Sequence, residues 1–170
     1  MKNLNTILIL LFTFFPLVTS CGGGNGDEVS ELPFIVLEDG IHSNYSDNGN
    51  TLQEPTLLKI VSQEELEAFW NLHNNGTVPL PPAPVINFDQ EIALVVMDIV
   101  MPDFSSVYSL KIDKILEYED QVVVFATKTR GDQGCVFNQT LSQAYQIVKT
   151  TNRDKPFTLS LTETTENCGT

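Results

Sequence analysis

Two runs decide the fold: Ser62-Gln63-Glu64-Glu65-Leu66-Glu67-Ala68-Phe69-Trp70-Asn71-Leu72-His73 and Ile92-Ala93-Leu94-Val95-Val96, separated by Pro79, Pro81, Pro82 and Pro84. Ser62 as N-cap with Glu65 three residues on is a capping box, in which each side chain serves a backbone N–H that the helix leaves open. Leu66, Phe69, Trp70 and His73 then recur at three- and four-residue spacing, the period of an amphipathic helix. Asn74-Asn75-Gly76 provides its stop. The prolines lack an N–H and fix φ, so they form a stiff, extended connector. Ile92 to Val100 is nearly continuous in apolar residues, which predicts a strand covered on both faces.

Working outward, the apolar run Phe34-Ile35-Val36-Leu37 reads as a strand and Asp39 to Asn50, rich in Gly, Asn, Ser and Asp, as a loop. Thr56 to Val61 is a second strand. Downstream, Val107 to Leu116 alternates, with Tyr108, Leu110, Ile112 and Ile115 assigned to one side. Gln121 to Thr129, Ala144 to Thr150 and Phe157 to Thr162 complete the set. About seven strands and one helix imply an α+β domain, a mostly antiparallel sheet or sandwich with the helix packed on it. Trp70, on the apolar face of the helix, is expected in the core rather than on a ligand platform.

The N-terminus predicts an address. Lys2 is the only charge in the first twenty residues and precedes an apolar stretch, Ile7 to Phe15, too short to span a bilayer comfortably. It ends Leu17-Val18-Thr19-Ser20-Cys21, which resembles the lipobox of bacterial lipoprotein precursors. An ordinary secretory signal with a chance cysteine, or a short membrane helix, is the alternative. The lipoprotein reading is favoured because a Gly/Asn linker follows directly. On that reading residues 1–20 are removed, Cys21 is lipidated, residues 21–32 are a flexible tether, and 33–170 form a single domain in the envelope, at the outer membrane. Losing Lys2 would take the formal charge from −13 to −14, since −13 − 1 = −14. Such acidity argues against nucleic acid or anionic headgroups as partners. It leaves oligomeric state open.

With Cys21 spent on lipid, Cys135 and Cys168 remain, an even pair in an exported chain. A disulfide between them is the favoured reading, with two free thiols or a metal site as the alternatives. A metal is disfavoured, because His42 and His73 are the only histidines and neither has ligand spacing to a cysteine.

Signatures of catalysis and of cofactors are missing from the sequence. There is no Gly-x-Ser-x-Gly elbow, no Gly-rich phosphate loop and no His-Glu-x-x-His. No catalytic, cofactor or metal residues are assigned. Asp47-Asn48-Gly49-Asn50 hints at a calcium loop but lacks the spaced acidic ligands and closing Glu. Glu64, Glu65 and Glu67 are explained by the helix dipole. Three Asn-x-Ser/Thr matches, at Asn44, Asn75 and Asn138, are accidental in a bacterial envelope protein.

Taken together, the helix ending in Trp70, the proline connector, Ile86-Asn87-Phe88, the buried strand Ile92 to Val96 and the later Gln143-Ala144-Tyr145-Gln146-Ile147-Val148-Lys149 resemble the C-terminal domain family of the protease-complex subunit PrcB. The resemblance spans about Phe34 to Leu161. Departures are Ser106-Val107-Tyr108 for the family's Gly-Gly-Tyr, Ala144 for a Pro and Asn87 for an Asp. It implies a non-enzymatic accessory lipoprotein that associates with an envelope protease. For a binding module, Asp39 to Asn50 and Met101 to Ser106 are the candidate contact segments, with Met101 and Phe104 either exposed apolar groups or tucked into the core. A small hydrolase or ligand-binding protein using His42 or His73, and a protease inhibitor presenting Pro79 to Pro84, are the alternatives.

Overall fold

In the computed structural model, residues 29–43, 54–74, 79–101, 104–105, 107–132, 134–138 and 140–168 are described. Ten strands and one helix follow in the order β1 (Ser30–Leu32), β2 (Phe34–Ser43), β3 (Thr56–Ile60), α1 (Gln63–His73), β4 (Glu91–Met97), β5 (Phe104–Ser105), β6 (Ser109–Glu117), β7 (Val122–Gly131), β8 (Phe137–Asn138), β9 (Ser142–Thr151) and β10 (Phe157–Glu166). Two four-stranded sheets have the orders β1-β6-β7-β10 and β2-β9-β4-β3, and β5 and β8 form a two-stranded ribbon. The expected α+β sandwich is what forms, and its pairings are antiparallel except one. β10 runs parallel to β7, with Phe157 opposite Val122 and Glu166 opposite Gly131.

β4 explains the layering. Ile92, Leu94 and Val96 point into the core between the two sheets, while Ala93 and Val95 point to the other face and join Leu66 and Trp70 of the helix. All five are fully buried. An unbroken apolar run is what a strand covered on both faces requires. The order of layers is therefore sheet, sheet, helix.

Ser62 caps the helix as its sequence predicts, but Glu65 bonds one residue earlier than a capping box places it. Ser62 Oγ accepts from the Glu65 N–H at 3.2 Å, and Glu65 Oε2 reaches back to the Val61 N–H at 3.0 Å. At the other end the Asn74 N–H donates to the Trp70 carbonyl at 2.9 Å.

Several boundaries differ from the sequence expectation, and a register shift accounts for the inward Ile115. Ser30–Leu32, assigned to the tether, pairs antiparallel with β6, and Leu32 is 3% exposed in the inter-sheet core. The folded domain thus begins at Ser30, not at residue 33. Asp39 to Ser43, assigned to a loop, continues β2 along β9, with a register shift between Val36 and Glu38. The polar residues sit on a sheet edge, where one side of the strand faces water. The strand predicted over Ile92 to Val100 stops at Met97, because Asp98 turns inward to partners from the other sheet. Finally, β6 shifts register between Ile112 and Lys114. That bulge lets Leu110, Ile112 and Ile115 all face the core, although strict alternation would point Lys114 inward.

Candidate functional site

β2 is long enough to carry His42 along the sheet edge, opposite Gln143 of β9. α1 ends at His73 above the same face. The two imidazoles, 31 residues apart in the chain, come within 5.2 Å centroid to centroid. His73 lies edge-on to the Tyr145 ring at 4.1 Å and stacks on Phe69, one turn earlier, at 5.4 Å. The Tyr145 hydroxyl donates to Glu38 Oε1 at 3.0 Å. Glu38, Tyr145 and Phe69 were not legible as members of this cluster. Only β2–β9 register brings the first two together, and Phe69 reads equally well as core.

The electrostatics define what these groups can do. Burial, then the neighbouring His42, lowers the His73 pKa from 6.5 to about 4, so its ring is neutral near pH 7. Its Nε2 is buried without a hydrogen-bond partner among the described residues. Burial, then Glu38, raises the Tyr145 hydroxyl well above the ordinary tyrosine range. His42, Phe69 and Tyr145 pack around His73 and seat the end of the helix on the sheet. Among the described residues, no group of three or more His, Cys, Asp and Glu side chains is placed to hold a metal ion.

A second buried constellation joins the two sheets. Asp98, fully buried just beyond β4, accepts from the Tyr108 hydroxyl at 2.7 Å and from Lys128 Nζ at 3.2 Å. Lys128 is also 3.2 Å from Glu163, and Arg130 lies 3.9 Å from Asp98 and 3.3 Å from Glu163. Gln143 Nε2 donates to the Asp98 carbonyl at 2.7 Å. Burial and the Asp98 hydrogen bond raise the Tyr108 pKa far above its usual value. Its signal in the sequence was a carboxylate inside the apolar run Ile92 to Val100.

The remaining predicted residues fall as follows. Cys135 and Cys168 form a disulfide with Cα atoms 4.9 Å apart, joining the segment before β8 to the residues after β10. Cys21 and Asp47 to Asn50 lie outside the described residues. Met101, read as either an exposed contact or a core residue, is half-buried against the inter-sheet core and pairs with Ser142. Phe104 begins β5. Trp70 is in the core, as expected, and its indole Nε1 donates to the Pro81 carbonyl at 3.0 Å, fastening the proline connector to the helix. No family model, curated protein or solved structure matches this chain.

Proposed function

We propose that this chain is a lipid-anchored, non-catalytic module of the bacterial envelope, at the outer membrane, that binds another envelope protein, an envelope protease first among the candidates. The observation that carries the reading is the lipobox-like Leu17 to Cys21, with Cys21 nine residues before the first strand among the described residues, at Ser30. An anchor so close to a folded domain keeps that domain at the membrane surface, where a two- or three-chain lipid attachment is effectively permanent. The resemblance to the PrcB C-terminal domain over Phe34 to Leu161 supports the choice of partner. Acidity weighs against nucleic acid, because like charges repel.

Metabolic labelling with a fatty acid, followed by capture of the lipidated protein from detergent-solubilised envelopes, tests this. Label on the wild type and none on Cys21→Ser, together with a stoichiometric partner, is the expected result. Absence of label or of any partner overturns it.

A hydrolase or ligand-binding protein is the second reading, and the approach of His42 to His73 within 5.2 Å favours it. Turnover of ester or peptide substrates that is lost in both His42→Ala and His73→Ala would replace the first reading with this one.

A further inference from the structure

The proline connector carries a feature that the histidine cluster and the buried ion network do not share: an apolar side chain held out into solvent by a rigid frame. Val85 is 88% exposed, while its neighbour Ile86 is 6% exposed in the core beneath the helix. The Gln63 carboxamide grips the backbone on both sides of it. Its Nε2 donates to the Pro84 carbonyl at 3.2 Å, and its Oε1 accepts from the Ile86 N–H at 3.3 Å. Gln63 is itself oriented by a bond from Nε2 to Glu67 Oε1 at 3.2 Å. Upstream, the Trp70 indole holds the Pro81 carbonyl.

In an extended chain, the carbonyl of one residue and the N–H two residues on lie along the same edge. Gln63 occupies that edge. The N–H and carbonyl of Val85 therefore point to the opposite edge, and among the described residues neither has a hydrogen-bond partner. Side chain, donor and acceptor of one residue are thus presented together.

We infer that Val85 is the residue this module inserts into the substrate cleft of an endopeptidase whose S1 pocket takes small branched aliphatic side chains. The inference rests on the binding-module reading and names its contact site. Endopeptidase clefts receive chain in the extended form, pair with its backbone and sort it by the side chain that enters S1. The prolines fix φ up to residue 84, and the two Gln63 bonds fix the backbone on either side of Val85, so little further ordering is needed on binding. Fifteen residues, Asn74 to Phe88, carry no charge in a chain of net charge −13, so the segment itself adds no charge to a cleft. Burial of Ile86 and the grip of Gln63 hold the two sides of the Val85–Ile86 bond together, which favours occupancy of the cleft over cleavage.

The test uses the full mature chain in detergent, with pancreatic elastase as the aliphatic-specific probe and trypsin as the control. Wild type should inhibit elastase competitively and leave trypsin unaffected. Val85→Asp should weaken elastase inhibition by at least about 100-fold. Val85→Lys should transfer inhibition to trypsin, which also guards against a variant that merely misfolds. Gln63→Ala should still bind but be cut faster after Val85. No inhibition of elastase by wild type together with none of trypsin by Val85→Lys overturns the inference. So does cutting of the folded protein at the rate of a linear peptide. Capture from envelopes with Val85→Asp separates the two levels: undiminished recovery of the wild-type partner removes this site and spares the binding reading, and recovery of nothing by either chain removes both.

Discussion

A carboxylate that reaches no water must be matched inside the protein, and Asp98 is matched by Tyr108 and Lys128 of the opposing sheet. Taking two charges out of water costs several kcal/mol per ion, so such a pair contributes little net stability, but breaking it is expensive. Asp98→Ala leaves Lys128, 6% exposed at its side chain, with only the half-exposed Glu163. Denaturant titration should show a loss of about 3–5 kcal/mol. The double variant Asp98→Leu, Lys128→Met should recover most of that loss, because no charge is left buried alone. His73 gives a pH dependence whose sign follows from its lowered pKa. The unfolded chain binds a proton below pH 6.5, whereas the folded chain resists until about 4. Stability from this residue is complete above pH 6.5 and is lost as pH falls toward 4. Allowing for solvent screening of a partly solvated ring, the loss totals about 2 kcal/mol. His73→Leu should flatten that part of the stability profile, measured as the difference from wild type across pH 4 to 7. Asp98 could be noticed in the sequence as a charge in an apolar run. The histidine pair could not, since nothing local fixes a contact between a helix end and a strand edge.

Local rules governed the elements most completely where the chain solves its own hydrogen-bonding problem. The capping box at Ser62 and the period of Leu66, Phe69 and Trp70 are contained within a dozen residues, and α1 forms where they place it. Ser62→Ala should cost about 1 kcal/mol, read by the same titration, with the helix end at Asn74 unaltered. β6 shows the limit of a strictly local reading. Its register shift after Ile112 is set by β7, so alternation alone cannot say that Ile115 faces inward. The direction of β10 is equally non-local: an alternating Phe157, Leu159 and Leu161 specify a face, not a partner. Once parallel to β7, β10 packs its first half on the core and leaves the half after Leu161 exposed. The Cys135–Cys168 disulfide fastens that exposed half. Replacing both cysteines by Ser should cost roughly 3–4 kcal/mol on the chain-entropy account. Amide exchange should rise at Thr164 to Glu166 while Phe157 to Leu161 stays protected.

At the scale of the whole molecule, the boundary that matters is where the folded domain begins. Composition placed that boundary at Leu32, because Gly22 to Gly26 and Asp27-Glu28 offer nothing to a core and the first apolar run starts at Phe34. A three-residue strand such as Ser30–Leu32 has too few residues to show a period, so no sequence pattern could reveal it. The sheet reveals it by need. Without β1, β6 would be a free edge, and the end of the core near Ile115 would lack the Leu32 side chain opposite it. Fully burying a Leu contributes about 1.5–3 kcal/mol, and unpaired edge groups add to the deficit. The consequence is a sharp difference between two truncations only four residues apart. A chain of residues 29–170 should unfold cooperatively with the same denaturant midpoint as one of residues 21–170. A chain of residues 33–170 should lose at least about 2 kcal/mol and show faster amide exchange along Ile115 to Glu117. Equal stability of the two truncations would return Ser30–Leu32 to the segment before the domain and, on the proposed lipid anchor, lengthen the reach of the domain from the membrane by about 10 Å, at roughly 3.3 Å for each extended residue.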